Sequence, residues 1–426
     1  MGKPRSPQIF MVVVSQMSND TTQKPPSLII GISIIAGTSV GAGMFSLPIA
    51  SAGMWFSWSL LLLVFTWFCM FHSSLMIMEA NLHFPPGSSF DTFVKATLGR
   101  GWNAINSLAL VFVLYILTYA YISGGGSIVS HTLGSTLGIS LPPMFAGLLF
   151  ALGLASIVWY STGLVGRLTS VLVGGMLITF LLSVGGLTTR LQLPVLLDNK
   201  PAYAPFLLAA IPYYLTSFGY HGNVPSLIKY YGKEPTRIRK CLLYGSLTSL
   251  TVYSLWLLAT MGNISREQFE PIIDAGGNIG DLVSALGKLG DNDNLFALLN
   301  AFANMAVVSS FLGVTLGLFD FIADKFSFDD SHTGRFKTAL VTFIPPTIGG
   351  LFFPNGFIYA IGLAGLCAAV WGAIVPALAV RASRRKFDDA LYKVWGGNAL
   401  IYFLLCYGAV LIVCYGLAAF GILPVY

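Results

Sequence analysis

Long apolar stretches of about 20 residues recur along the chain, and short polar segments with glycines, prolines and charges separate them. An α-helix needs a stretch of about this length to cross roughly 30 Å of hydrocarbon. The pattern therefore predicts an all-α polytopic membrane protein with about eleven transmembrane helices. The predicted spans, one to eleven, cover residues 27–50, 55–81, 102–128, 143–160, 166–188, 204–228, 240–262, 294–324, 336–352, 357–380 and 397–420.

Composition agrees with a membrane protein. Charged residues make up 9% of the chain, hydrophobic residues make up 55%, and the mean hydropathy is +0.76. A soluble domain carries about 25% charged residues. The five cysteines have no CxxC spacing, which excludes a disulfide scaffold. Residues 1–26 are polar and are expected to form a disordered cytoplasmic tail.

The positive charges lie on one side of the predicted topology. Nineteen of the 23 Lys and Arg residues fall in alternate loops and tails. The positive-inside rule places this side in the cytoplasm, so the amino terminus is inside and the carboxyl terminus outside. Topology thus explains the net charge of +6, and no nucleic acid is expected as a partner. The acidic outer loop, residues 263–294, matches no metal-ligand spacing, so we expect a solvated loop without a metal.

Glycines interrupt the first span near the middle of the membrane. Gly37, Gly41 and Gly43 lie within seven residues, and each glycine costs about 1 kcal/mol relative to alanine inside a helix. Two explanations compete. Gly37 and Gly41 could form a GxxxG helix-packing pair, or the helix could be unwound there, which is tolerated at this depth only where the backbone lines a cavity.

The sixth span favours the second explanation. Pro212, Gly219, Gly222 and Pro225 lie within one apolar run, together with an Asn and a His, and such a segment is a poor continuous helix. Span six comes five spans after span one, so the two run in opposite directions. Interrupted helices at matching positions of two inverted halves indicate the central site of a transporter.

A broken helix suits a zwitterionic substrate. Free N–H groups at a half-helix amino terminus attract a carboxylate, and free carbonyls attract an ammonium group. Tyr119 shares a face of span three with Tyr115, and this pair forms either an aromatic wall beside the substrate or an interface contact. The residues predicted to bind substrate are Gly37, Thr38, Ser39, Gly41, Ala42, Gly43, Tyr119, Ser217, Phe218, Gly219, Tyr220 and His221.

Specific motifs lie at residues 37–48, 78–82, 87–91, 114–123, 217–226, 309–320 and 353–357. They resemble those of the bacterial aromatic (and hydroxy) amino acid permeases. Residues 229–233 and 375–384 resemble the tryptophan-specific branch of that family. The resemblance implies a leucine-transporter-type fold, and it implies import of aromatic amino acids together with protons. In that fold residues 27–188 and 204–380 form two inverted five-helix repeats, and residues 397–420 form an eleventh helix.

Four residues are candidates for coupling transport to an ion. Glu79 could carry a proton or make a structural hydrogen bond. His221 could titrate, or it could satisfy carbonyls freed by the break. The resemblance implies that Ser309 and Ser310 help bound a cation site, whereas their hydroxyls could instead bond to their own helix. Some relatives carry a Lys in span five, but residues 173–177 contain none.

A membrane-embedded enzyme and a channel fit the sequence less well than a transporter. An enzyme would need a recognisable set of ligands or nucleophiles, yet the chain has no HExxH, and Gly287-Lys288 lacks the rest of a phosphate-binding loop. A channel would favour a continuous polar stripe or a filter motif. The sequence therefore predicts a secondary active transporter of the bacterial inner membrane. We expect it to import L-tryptophan with a proton and to need no cofactor or protein partner. The alternatives are a tyrosine or phenylalanine preference, or coupling to sodium.

Overall fold

The computed structural model describes residues 27–288 and 293–426, and these residues form helices and loops without a β-strand. The predicted tail at residues 1–26 lies outside the described residues. The first half contains α1 Leu28–Ser39, α2 Ser46–Ser51, α3 Trp55–Asn81, α4 Phe90–Leu137, α5 Pro143–Tyr160, α6 Thr162–Thr188 and α7 Leu193–Leu196. Then follow α8 Phe206–Ser217, α9 Val224–Tyr231, α10 Pro235–Met261, α11 Glu270–Asp274, α12 Ile279–Gly287, α13 Asp293–Phe326, α14 His332–Phe352, α15 Phe357–Ala369, α16 Val375–Lys386 and α17 Gly397–Ala419.

The multi-pass helical architecture predicted from the sequence is confirmed. Among the described residues, eight helices are long and apolar enough to cross a membrane, and α1 with Ala42–Ser51 forms a bent ninth candidate. The helices at predicted spans six and nine do not meet these criteria of length and mean hydropathy. The count of eleven and the inverted repeats therefore stay predictions.

Two helices differ from the predicted spans. At span three, helical residues run from Phe90 to Leu137 but are interrupted at Gly99, where φ is +86°, so the part after the interruption begins close to the predicted residue 102. Glycine adopts this conformation without the steric cost that a Cβ brings. The tenth span contains a π-helical segment, Val370–Ile374, between α15 and α16. The apolar pattern gave no signal for the π-helical segment, because it lies within a continuous hydrophobic run.

The long helices pack in two groups. In the first group α10 packs against α1 and α3, and α3 packs against α8. In the second group α4 packs against α5, α13 and α14. Between the groups, Phe45 lies 5.3 Å from the ring of Trp256 on α10 and 5.1 Å from that of Phe302 on α13. This aromatic cluster fixes the segment that follows α1, and it therefore positions the first helix break.

Candidate functional site

The first predicted break is present. Helix α1 ends at Ser39, Gly41 has an extended backbone, and a 3₁₀ turn at Ala42–Phe45 leads into α2. The chain bends by 48° across this junction. The backbone N–H of Ala42 donates a hydrogen bond to the Ser310 hydroxyl on α13 at 2.9 Å. A side chain of a distant helix thus satisfies one of the donors that the break frees.

The glycines of this break have different environments. A Cβ on Gly41 would clash with the Ser310 oxygen, so only glycine allows the present approach of the two segments. A Cβ on Gly37 or on Gly43 would meet no atom of the described residues within 4 Å. Gly37 therefore makes no close helix contact of the GxxxG kind. The geometry favours the unwound helix over the packing explanation.

The second predicted break is also present. Helix α8 contains Pro212 and ends at Ser217, and a 3₁₀ turn at Tyr220–Asn223 precedes α9. Phe218, next to the break, is fully buried. Proline removes a helical hydrogen bond to the residue four positions earlier, so Pro212 weakens α8 near its start, and the helix ends five residues after it. The break thus exposes backbone groups inside a protein interior rather than to lipid.

The two breaks meet in space. The side-chain amide of Asn223 donates to the Thr38 hydroxyl at 2.6 Å. The hydroxyl of Tyr253 on α10 lies 2.5 Å from the Ser39 carbonyl oxygen and 2.6 Å from the Ser217 carbonyl oxygen. The structure therefore brings Thr38, Ser39 and Ser217 together, although nearly 180 residues separate the two segments in the sequence. The hydroxyls of these three residues bond to carbonyls of their own helices.

His221 occupies an aromatic environment beside the second break. The imidazole is fully buried, and its ring centre lies 5.0 Å from that of Tyr220 and 6.0 Å from that of Trp371. It faces the backbone of Phe218 and Met70. Neither ring nitrogen has an oriented hydrogen-bond partner in the part of the chain that the structure describes, and neither does the Trp371 indole N–H. Most buried polar groups in proteins are hydrogen-bonded, so one without a partner needs an explanation.

The two candidate serines differ. Ser310 contacts the first break through Ala42. Ser309 is buried and donates to the Ala306 carbonyl of its own helix at 3.1 Å. Ser310 thus contacts the unwound backbone directly. Ser309 makes the hydrogen bond within its own helix that the structural alternative expects.

Glu79 lies at the end of α3 and is buried. Its carboxylate accepts hydrogen bonds from Arg384 on α16, at 2.6 Å from Nε and 2.9 Å from Nη2, and from the backbone N–H of Val394 at 2.6 Å. Such a two-pronged arrangement is the strongest geometry for an arginine and a carboxylate. The observed contacts favour the structural alternative for Glu79, and its coupling role stays a prediction.

The family model of the tryptophan/tyrosine permease family matches residues 24–415. The chain belongs to this family. It is 58% identical over 417 residues to the tryptophan-specific transport protein of Pseudomonas aeruginosa (strain UCBPP-PA14), covering 96% of this chain and 100% of that protein. It is 54% identical to the tryptophan-specific transport protein of Shigella flexneri, covering 95% and 99%. A tyrosine permease of Enterobacter agglomerans is 41% identical, covering 94% and 98%. The chain is thus a multi-pass permease of a bacterial family and not an enzyme.

Within the permease, the two tyrosines on α4 that were predicted to form an aromatic wall donate hydrogen bonds to backbone carbonyls. The Tyr119 hydroxyl donates to the Phe353 carbonyl at 2.8 Å, and the Tyr115 hydroxyl donates to the Val341 carbonyl at 2.9 Å. Both tyrosines therefore tie α4 to α14 and to the turn that follows it. A role for Tyr119 in substrate binding stays a prediction.

Two residues of the candidate site carried no signal in the sequence. Tyr253 faces both breaks, and Trp371 lies beside His221. Asn223 was part of the interrupted run in span six, but its bond to the first break was not predicted. The chain has 18 tyrosines and 8 tryptophans, so residue type alone does not separate those at the breaks from those that pack elsewhere.

Proposed function

We propose that the permease imports L-tryptophan, or a related aromatic amino acid, together with a proton across the bacterial inner membrane. The observation that carries the proposal is the meeting of two broken helices, whose ends place backbone groups outside the regular helical hydrogen bonds at one buried junction. The names of the two tryptophan-specific relatives, which are 58% and 54% identical to this chain, support tryptophan over tyrosine as the substrate. Rocking of the first helix group against the second would expose the junction to each side in turn.

The chemistry of the junction fits an amino acid zwitterion. The substrate carboxylate would bind N–H groups around Gly41 and Gly43, where the partial positive charge of the second half-helix is available. The ammonium would bind carbonyls near Gly37 and Phe218. The absence of atoms beside Gly37 and Gly43 leaves room for the substrate backbone there. The indole would lie against the rings of Phe218 and Tyr220.

For the coupling ion we favour a proton carried by His221. This side chain lies beside the second break, and its nitrogens have no oriented partner among the described residues. By contrast, Glu79 already has an arginine and a backbone amide as partners. Sodium binding near Ser310 is the alternative, because the Ser310 hydroxyl lies at the first break.

Uptake of radiolabelled tryptophan into proteoliposomes tests the function. We expect accumulation driven by an imposed pH gradient without sodium, and we expect excess tyrosine or phenylalanine to compete weakly. Accumulation that requires sodium would refute proton coupling. No saturable uptake of any aromatic amino acid would refute the substrate assignment.

A pair of glycine variants tests the location of the site. Gly43→Trp fills the space at the first break and is expected to abolish tryptophan binding. Gly153→Trp is the matched control, because Gly153 also has no atom near its Cβ position but lies on the exposed surface of α5. Normal binding by Gly43→Trp would refute the site assignment.

A further inference from the structure

The junction of the two breaks contains a hydrogen-bond arrangement that a single side chain cannot complete. Ser39 ends α1 and Ser217 ends α8, so their carbonyls lie at the negative ends of two helix dipoles. These carbonyl oxygens lie 2.5 Å and 2.6 Å from the Tyr253 hydroxyl. A tyrosine hydroxyl carries one proton and can donate to one acceptor at a time. One of the two carbonyls therefore faces the lone pairs of the phenol oxygen.

Tyr253 itself has little freedom to relieve this arrangement. The residue is fully buried, and its ring packs edge-on against Phe218 with ring centres 5.3 Å apart. Phe218 is the first residue after α8. The same tyrosine thus contacts the second break through its ring and both breaks through its hydroxyl. Its helix, α10, packs along α1, which keeps the hydroxyl between the two helix ends.

We propose that Tyr253 is a positioning residue for the substrate ammonium. It donates its proton to one carbonyl of the pair and holds the two helix ends together. The ammonium of the bound substrate donates to the carbonyl that Tyr253 leaves unpaired. Hydrogen bonds to charged groups contribute more than neutral ones, so the substrate completes an arrangement that is unsatisfied without it. This inference rests on the proposed function, since it needs a substrate that bears an ammonium group.

Tyr253→Phe removes the proton and keeps the ring. We expect affinity for tryptophan to fall about tenfold, because the phenol no longer holds the carbonyl that receives the ammonium in position. The affinity for tryptamine, which keeps the ammonium, should fall by a similar factor. Indole-3-propionate, which lacks the ammonium, should keep its affinity within about twofold. The measurement is competition against radiolabelled tryptophan on the purified, detergent-solubilised permease.

Tyr214→Phe is the matched control. Tyr214 is also fully buried, and its hydroxyl shares one hydrogen bond with Ser51 at 2.6 Å. This variant loses a neutral hydrogen bond on α8 but no contact with the carbonyl pair, so its ligand affinities should stay near those of the unmodified permease. An equal loss for all three ligands in Tyr253→Phe would show a merely structural role and would overturn the proposal. Unchanged tryptophan affinity would also overturn it.

A second variant covers the case in which Tyr253→Phe does not fold. Incorporation of 3,5-difluorotyrosine at position 253 keeps the hydroxyl and makes it a stronger donor. Affinity for tryptophan and tryptamine should then change while that for indole-3-propionate does not, and no change would overturn the proposal. The unmodified permease separates the two hypotheses. If the unmodified permease fails to bind tryptophan, the proposed function is wrong. If it binds tryptophan but the affinity does not depend on the side chain at position 253, only the role of Tyr253 is refuted.

Discussion

The ion pair between Glu79 and Arg384 provides a prediction whose size follows from its burial. The Glu79 side chain has no exposed surface, and that of Arg384 is 19% exposed. Removal of one partner from a buried ion pair costs about 3 to 5 kcal/mol, because the other charge stays buried without compensation. We therefore expect Arg384→Met to destabilise the permease by about this amount, even though the Val394 N–H still contacts the carboxylate.

The double variant distinguishes the ion pair from two independent side chains. Replacement of both partners, by Glu79→Met with Arg384→Met, leaves no buried charge and should cost less than either single change. Thermal unfolding in detergent measures this, and at about 2 °C per kcal/mol for large domains the Arg384→Met variant should unfold roughly 6 to 10 °C lower. Arg385→Met is the control, because Arg385 is the exposed neighbour on the same helix.

The same variants decide between the two roles of Glu79. In the structural role, the double variant retains uptake of tryptophan driven by a pH gradient. In the coupling role, every variant that lacks the carboxylate loses this accumulation but still exchanges tryptophan across the membrane. The reasoning from burial is refuted if single and double variants lose stability additively, or if the double variant folds but cannot couple.

Three further predictions concern single residues. His221→Ala should retain exchange of tryptophan across proteoliposome membranes and lose accumulation driven by a pH gradient; full accumulation would contradict its proposed role. Asn223→Ala removes the 2.6 Å bond to Thr38 and should raise the KM for uptake several-fold, and an unchanged KM would show that this bond does not shape the site. Burial lowers the pKa of His83 from its usual 6.5, and Lys233 also lowers it, against an opposing effect of Glu79. The unfolded chain then binds more protons than the folded one below about pH 6.5, so stability falls as pH falls through this range. His83→Phe should reduce this loss of stability at low pH, as measured by thermal unfolding at several pH values. An unaltered pH dependence would refute the contribution of His83.

The sequence predicted the helix breaks because their cause is local. Proline and glycine disfavour a continuous helix, so Gly41 and Gly219 mark the breaks without knowledge of the fold. The apolar periodicity likewise predicted the long helices to within a few residues for most spans. The helical residues 90–98 that precede Gly99 were not predicted, since this stretch is too short and too polar for a membrane span.

The contacts that organise the site could not be predicted, because they join residues far apart in the chain. Arg384 and Glu79 are 305 positions apart, and Tyr253 and Ser39 are 214 positions apart. Glu79 alone gave two explanations of equal standing, and only its partners distinguish them. Tyr253 had no reason to be selected, since a tyrosine in a membrane helix is ordinary until two carbonyls are found at its hydroxyl.

The hydrogen bonds around the breaks also constrain the proposed motion. Tyr253 joins α1, α8 and α10, which all belong to the first helix group, so rocking between the groups leaves its contacts intact. The bond from Ala42 to Ser310 joins the first break to α13 of the second group, so rocking must alter it. The expectation is that contacts of Tyr253 persist through the transport cycle, while the approach of Gly41 to Ser310 does not.

A disulfide between positions 41 and 310 tests this expectation. A Cβ on Gly41 would lie 3.6 Å from the Cβ of Ser310, within the 3.5 to 4.5 Å that a disulfide needs. With the native cysteines replaced, Gly41→Cys with Ser310→Cys should lose on oxidation whatever tryptophan uptake it shows in reductant, and it should regain that uptake when reduced again. The control pair, Gly350→Cys with Ile122→Cys, has the same 3.6 Å separation within the second group and should transport in both states. If the oxidised 41–310 variant transports at its reduced rate, the two groups do not move apart at this contact, and alternating access must use another boundary.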